Sequence, residues 1–204
     1  TFEIGGESLF AIRGRDEKIR VFYNVCQHRA HQLVQGKGTT RVVVCPYHAW
    51  TYELTGELRA GPNIKAVEGF DKSDVCLSEV RAEEFLGFVF VNLDPDAAPM
   101  EEWFPNARAE LEEWVPNWAE LKPLEWVSIP ENCNWKVSVE NYSECYHCSL
   151  NHPTFSNGVV KPETYDIQPQ GKCLRHTTEC QNLENMTYDV NSGFAHQYEY
   201  SSWF

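Results

Sequence analysis

The sequence is poor in positive charge. It contains 17 Lys and Arg residues against 30 Asp and Glu residues, which gives a formal net charge of −13 at neutral pH. A protein that binds nucleic acid needs a basic face to neutralise phosphates. The charge balance therefore excludes nucleic acid from the expected partners, and its ordinary consequence is solubility.

Long apolar runs are also missing. No stretch approaches the roughly 20 consecutive apolar residues of a membrane span, and none has the form of a secretory signal peptide. We therefore expect no membrane partner. The chain opens on a strand-like run, "TFEIGGESLFAIRG", and closes on another, "YEYSSWF". A chain seldom begins or ends inside a sheet, so we expect further residues on both sides.

Two short stretches, "VCQHRAHQ" and "CPYHAWTY", each contain one cysteine and one histidine. Cys26 and His28 lie in the first, Cys45 and His48 in the second, and the pattern is Cys-x-His-x16-Cys-x2-His. Two thiolates and two imidazoles can hold tetrahedral zinc, or a Rieske [2Fe–2S] cluster with two Cys on one iron and two His on the other. Zinc fingers group their Cys together and their His together. Because each stretch here supplies one of each, the spacing favours the cluster, with zinc as the alternative.

The remaining cysteines show no framework of the kind found in secreted proteins. Iron–sulfur proteins work where thiols stay reduced, so the expected compartment is the cytoplasm. These six residues are Cys76, Cys133, Cys145, Cys148, Cys173 and Cys180.

The pattern of strands and helices predicts two domains. Residues 1–98 contain short β-rich runs such as "SLFAIR" and "GFVFVNL" between turn signals, so this part should be all-β. The stretch "DPDAAP" is a plausible linker. Residues 99–204 begin with a helical pattern and are assigned to a second domain.

One helix in the second domain, "NCNWKVSVENYSECYHC", should have two distinct faces if it is continuous. At 100° per residue, an apolar stripe is predicted to pack into the core. The opposite face presents Glu140, Glu144 and His147. Cys145 and Cys148 are interpreted as small helix residues, with a zinc-binding Cys-x2-Cys pair as the alternative. The stripe consists of Trp135, Val139, Tyr142 and Tyr146.

His152 falls off this face. Because it precedes Pro153, the helix should end before it, and the chain can then turn to bring His152 back beside His147. Two histidines with a nearby carboxylate suggest a mononuclear iron that keeps open positions for O2.

The two patterns together resemble the Rieske non-haem iron oxygenases, the family of ring-hydroxylating oxygenase α subunits. The four-ligand pattern is followed, about a hundred residues later, by Glu-x2-His-x4-His. The resemblance covers nearly the whole chain and implies an α+β protein, with an N-terminal all-β Rieske domain followed by a helix-grip α+β catalytic domain. Residues 99–204 would be the first part of that mononuclear-iron domain. The stretch "ENYSECYHCSLNHP" is most similar to the branch acting on choline, glycine betaine, carnitine and stachydrine.

The resemblance also implies roles for individual residues. Cys26 and Cys45 would bind one cluster iron, with His28 and His48 on the other. His147 and His152 would bind the catalytic iron. Glu144 would bridge the two centres between neighbouring subunits, although many members carry Asp there. The family's third iron ligand is a carboxylate far downstream; Asp166 and Asp189 are the possible carboxylates here, and no motif singles out either.

The implied activity is oxidative N-demethylation or hydroxylation of a quaternary ammonium compound. The cofactors would be the cluster, Fe(II) and O2, with electrons from NAD(P)H delivered through a flavin/Fe–S reductase. The implied assembly is a homotrimer with a cationic small-molecule substrate. Two alternatives are an aromatic-ring dioxygenase α subunit and a Rieske electron carrier.

Overall fold

The computed structural model describes residues 1–115, 117–122, 124–125, 127–170, 173–179 and 197–203. The chain divides into two compact units, Thr1–Ala97 and Ala98–Phe204, and the division falls within the "DPDAAP" stretch. Within the described residues, no helix is long and apolar enough to cross a bilayer.

The first unit is built on a five-stranded antiparallel sheet in the spatial order β1-β2-β3-β7-β8. A smaller sheet of three antiparallel strands, β4-β5-β6, accompanies it. The strands are β1 (Phe2–Ile4), β2 (Glu7–Arg13), β3 (Ile19–Tyr23), β4 (Val43–Val44), β5 (Thr51–Tyr52), β6 (Leu58–Ala60), β7 (Glu79–Phe85) and β8 (Phe88–Asn92).

Both faces of the larger sheet are covered, because successive residues of a strand point to opposite faces. Leu9 and Val21 pack with Val80 on one face. Phe10 and Phe22 pack on the other, in the core that also contains Cys26, Cys45 and the small sheet. The Cys/His stretches flank β4: the first precedes it, and the second connects β4 to β5. The predicted all-β domain is therefore found.

The second unit contains short helices and a three-stranded antiparallel sheet in the order β11-β10-β9. Its sheet includes the final strand that the "YEYSSWF" pattern predicts. The elements are α1 (Met100–Trp103), α2 (Ala107–Trp114), α3 (Trp135–Tyr142), α4 (Cys148–Asn151), α5 (Pro153–Gly158), β9 (Asp166–Gln170), β10 (Cys173–Glu179) and β11 (Gln197–Trp203).

The prediction of one continuous helix through Cys148 is wrong. Helix α3 ends at Tyr142, and α4 begins only at Cys148. The Ser143 hydroxyl donates to the Val139 carbonyl oxygen at 2.8 Å, and such back-bonding weakens or bends a helix end. The segment 143–147 is therefore a turn.

The predicted packing of the apolar stripe is also wrong. Trp135, Tyr142 and Tyr146 are exposed, Tyr146 at 96%, and Val139 is only half-buried. Tyr146 lies in the turn, where the helical angle on which the stripe was based no longer applies. No residue of α3 is buried.

Candidate metal centres

The first Cys/His loop is closed by two backbone hydrogen bonds. The Cys26 N–H donates to the His31 carbonyl oxygen, and the Ala30 N–H donates to the Cys26 carbonyl oxygen, both at 2.9 Å. Ala30 has a left-handed backbone with φ 52°. The loop therefore presents Cys26 and His28 from a tightly turned backbone.

The second loop repeats this geometry. The Cys45 N–H donates to the Trp50 carbonyl oxygen at 2.8 Å, and the Ala49 N–H donates to the Cys45 carbonyl oxygen at 3.0 Å. Ala49 has φ 56°. The two loops thus have matching closures, each with a cysteine at its first position and a left-handed alanine four residues later.

The loops place the two residue types at different depths. Cys26 and Cys45 are each 2% exposed, whereas His28 is exposed and His48 half-buried, with their ring centroids 4.6 Å apart. Buried thiols below a pair of outer imidazoles suit a diiron cluster that has Cys on its inner iron and His on its outer iron.

A single zinc ion fits less well. In the part of the chain that the structure describes, no three His, Cys, Asp or Glu side chains are placed to hold one metal ion. Tetrahedral zinc needs four ligands that converge on one point. The placement of two buried thiols and two outer imidazoles is the observation that favours the cluster over zinc.

Tyr52 is a residue of this site that the sequence pattern did not single out. It is fully buried, and its hydroxyl lies 3.3 Å from the Cys26 Sγ. The Gln27 N–H donates to the same hydroxyl oxygen at 3.1 Å. Burial, followed by the contact with Cys26, raises the pKa of Tyr52. The phenol therefore stays protonated and can donate to a Cys26 thiolate. The stretch "CPYHAWTY" contains Tyr52, but nothing in the sequence indicates that its hydroxyl contacts the Cys26 sulfur.

Aromatic side chains cover the histidines. Trp50 stacks on His28 at 4.7 Å with 9° between the ring planes. Tyr47 lies 3.7 Å from the His48 ring by centroids. Partial desolvation lowers the pKa of His48, and the charges of neighbouring groups, His28 first, lower it further. Both effects favour the neutral imidazole, the form that binds metal.

Asn24 is a second residue that the sequence pattern did not single out, and its side chain fixes the backbone that follows the first loop. It is 2% exposed. Its side-chain oxygen accepts from the Leu33 and Val34 N–H groups at 3.1 and 3.0 Å, and its amide donates to the Val34 carbonyl oxygen at 2.9 Å. An asparagine in a loop gives no sequence signal for this role.

In the second unit, the turn after α3 holds Glu144 against His147. The Glu144 carboxylate accepts from the His147 Nδ1 and from the Tyr146 N–H. The bond to His147 is the first cause of a lowered pKa for Glu144. With Nδ1 engaged, the His147 Nε2 is the nitrogen left for a metal, as carboxylate–histidine pairs at metal sites require.

His152 lies between α4 and α5, beside His147. The ring centroids are 5.1 Å apart, an arrangement that the predicted turn before Pro153 allows. Both histidines line a cavity of about 550 Å³ together with Glu144. Two imidazoles from one turn and one helix junction can supply two ligands of a mononuclear iron.

A third iron ligand is not found in the described residues. Asp166 does not line the cavity, and its Oδ2 accepts from the Gln168 side chain at 2.9 Å. Asp189 lies outside the described residues. The two histidines therefore account for two of the three protein ligands that a facial iron site needs.

Cys145 and Cys148 form a disulfide with 4.9 Å between their Cα atoms. Cys148 begins α4, but Cys145 lies in the turn, so the interpretation of Cys145 as a helix residue is wrong, as is the zinc alternative for the pair. The turn brings the cysteines together, and the Cys148 N–H donates to the Cys145 carbonyl oxygen at 3.1 Å.

Residues 1–71 match the family model of the Rieske [2Fe-2S] domain, and residues 118–201 match that of the ring hydroxylating alpha subunit catalytic domain. The chain belongs to the Rieske oxygenase family. The second match covers the part of the chain with His147 and His152, and it contradicts the alternative of a simple Rieske electron carrier.

Individual relatives fall in two branches of the Rieske oxygenases. The carnitine monooxygenase oxygenase subunit of Escherichia coli (strain K12) is 46% identical over 160 residues, which is 78% of this chain and 43% of that protein. A solved quaternary ammonium Rieske monooxygenase, described for carnitine oxidation and inter-subunit electron transfer, superposes with a TM-score of 0.82 at 36% identity and covers 88% of this chain and 49% of that one.

The other branch matches less well. Naphthalene 1,2-dioxygenase with indole bound gives a TM-score of 0.68 at 29% identity, and covers 86% of this chain and 44% of that one. The likeness to the quaternary ammonium branch is thus the greater of the two. The chain spans about half the length of the relatives it matches.

Proposed function

We propose that the protein is the oxygenase component of a quaternary ammonium monooxygenase. The observation that carries the proposal is the pair of Cys/His loops in one unit and the Glu144–His147–His152 arrangement in the other, in a chain that is 46% identical to a carnitine monooxygenase subunit over 160 residues. The substrate class is a small betaine with a trimethylammonium group.

In this proposal Cys26, Cys45, His28 and His48 hold a Rieske [2Fe–2S] cluster. Tyr52 donates to the Cys26 sulfur, which stabilises the reduced cluster because added electron density is shared with the hydroxyl. His147 and His152 hold the mononuclear iron, and a carboxylate elsewhere in the whole protein completes its ligands. That iron supplies the activation of O2.

The reaction hydroxylates a carbon bonded to the quaternary nitrogen. One oxygen atom enters the C–H bond, the other leaves as water, and two electrons and two protons are consumed. The resulting carbinolamine breaks its C–N bond and releases an aldehyde and a tertiary amine. Attack on a methyl group gives formaldehyde, which is oxidative N-demethylation, and attack on the longer substituent releases trimethylamine.

The electrons come from NAD(P)H through a separate flavin/Fe–S reductase. Glu144 orients His147 through Nδ1 and lies between the iron ligand and a cluster histidine, His48, of the neighbouring subunit. Such a path from one subunit to the next requires a closed ring, most simply a homotrimer. The proposed compartment is the cytoplasm.

Turnover of the whole protein with its reductase, NADH and O2 tests the proposal. Carnitine, γ-butyrobetaine, glycine betaine and choline would be compared with naphthalene and biphenyl, with aldehyde and tertiary amine measured together. We expect a product from at least one trimethylammonium compound and none from the hydrocarbons. Dihydroxylation of a hydrocarbon without turnover of any betaine would contradict the proposal in favour of a ring dioxygenase.

A further inference from the structure

The Cys145–Cys148 disulfide lies within the candidate iron site. The two cysteines flank His147 in sequence, so the ring that the disulfide closes contains the proposed iron ligand. Both also line the cavity that contains His152. Nothing in the proposed oxygenase reaction uses these sulfur atoms.

We propose that Cys145 and Cys148 are a reversible redox pair that controls how firmly the site retains its iron. The existence of the pair stands on the disulfide alone. Its effect on iron rests on the proposed function, in which His147 is a ligand.

The two sulfur atoms differ in accessibility. Cys148 is 5% exposed, whereas Cys145 is half-buried. An attacking thiolate therefore reaches the Cys145 sulfur and forms a mixed disulfide with it, and Cys148 leaves as a thiolate. The second thiol of the attacking dithiol then breaks the mixed disulfide and frees Cys145. Cys76 and Cys133 are exposed free thiols, so this pair is distinguished by the proximity of its two sulfur atoms and not by exposure.

The disulfide and Glu144 hold the same turn. The Glu144 carboxylate binds the Tyr146 N–H and the His147 ring, while the disulfide joins the residues before and after them. With the disulfide closed, the turn has a covalent constraint in addition to these hydrogen bonds. With it open, the hydrogen bonds alone orient His147.

The chemistry balances with two named reagents. Hydrogen peroxide oxidises the Cys145 thiol to a sulfenic acid and releases water; the Cys148 thiol then displaces a second water and forms the disulfide. A small or protein dithiol opens the bond by exchange. It transfers two electrons and two protons to the pair and becomes a disulfide itself. A centre that reduces O2 without substrate is one source of such peroxide.

A closed ring should slow iron loss, because a ligand fixed in its binding orientation rebinds before the metal escapes. Changes in the groups that orient a metal-bound histidine alter metal affinity by roughly 10–100-fold. We therefore expect iron release from the oxidised protein to be about tenfold slower than from the dithiol form.

The experiment uses the whole iron-loaded protein in two states, treated with hydrogen peroxide or with dithiothreitol. Alkylation followed by mass spectrometry of the peptide with both cysteines counts their free thiols. A ferrous chelator measures iron release, while the visible absorbance of the cluster shows that the cluster remains intact. The Cys148→Ser variant cannot close the disulfide, although peroxide still oxidises Cys145, and it should release iron at the dithiol-form rate after either treatment. Cys133→Ser is the matched control and should behave like the parent.

The inference is overturned if both cysteines stay alkylatable after peroxide, or if iron leaves the two forms at the same rate. Failure of the proposed function is read separately, from metal content: a His147→Ala variant that retains all of its iron would contradict His147 as a ligand.

Discussion

The two candidate centres differ in how many of their candidate ligands come from short, locally closed segments. In the first unit, two loops contain the four proposed ligands, and each loop closes through its own backbone hydrogen bonds around a buried cysteine. In the second, one turn and one helix junction supply two histidines, and α3 beside them has no buried residue. A centre held by local backbone hydrogen bonds should keep its metal when residues elsewhere are changed. A centre that needs a ligand from a distant part of the chain should be more sensitive to changes in the surrounding structure.

Removing one ligand from each centre should separate them most strongly. Cys45→Ala deletes a thiolate from the core of the first unit, so we expect complete loss of the cluster and its brown colour. His147→Ala should keep the cluster and lose only the mononuclear iron, with turnover abolished in both. Iron and sulfide analysis together with EPR of the reduced proteins measures this.

Cys76→Ala is the control for the first of these variants, since Cys76 is an exposed free thiol of the same unit. A cluster that survives Cys45→Ala would show that the Cys/His loops are not its ligand set.

The next largest effect is expected on electron transfer between the two proposed centres. Glu144→Ala removes the carboxylate bound to His147, so both metals should stay bound while electron transfer slows by about 10–100-fold. Stopped-flow oxidation of the reduced cluster by O2, with substrate present, measures the rate. Glu140→Ala, an exposed residue of α3, is the control. If the Glu144 variant reoxidises at the parent rate, the inter-subunit path through Glu144 has to be abandoned.

A smaller effect is expected from Tyr52→Phe. It removes a hydrogen bond to the Cys26 sulfur without opening a large cavity. A net hydrogen bond is worth about 1 kcal/mol, so the one-electron potential of the cluster should fall by about 40–60 mV. Spectroelectrochemistry measures the shift. Tyr23→Phe, in the opposite core cluster, should leave the potential unchanged, and equal potentials in all three proteins would exclude Tyr52 as a tuning residue.

The smallest effects are expected in unfolding free energy, for two substitutions at differently packed positions. A methyl group at Gly61 would lie 2.9 Å from the Trp50 indole, so Gly61→Ala should displace the ring that stacks on His28 and cost about 1–3 kcal/mol of unfolding free energy. Leu150→Ala, at a residue 85% exposed, should cost under about 0.5 kcal/mol. Chemical denaturation measures both; equal costs would mean that the ring is not tightly packed.

Sequence patterns indicate the proposed ligands more readily than the surroundings of either site. Cys26, His28, Cys45 and His48 are recognisable because short loops fix their spacing. Tyr52 and Asn24 are not, because their partners are set by tertiary packing. The turn at Ser143 was not predicted, because the helical pattern looks continuous and gives no sign of the hydrogen bond from the Ser143 hydroxyl to Val139. Without that turn, the sequence also offered no reason to pair Cys145 with Cys148.

The metal and sulfide content of the whole protein tests the two-centre assignment most directly. One cluster and one mononuclear iron per chain predict about three iron atoms to two acid-labile sulfides, with a Rieske EPR signal on reduction. Stoichiometric zinc without acid-labile sulfide would contradict the assignment.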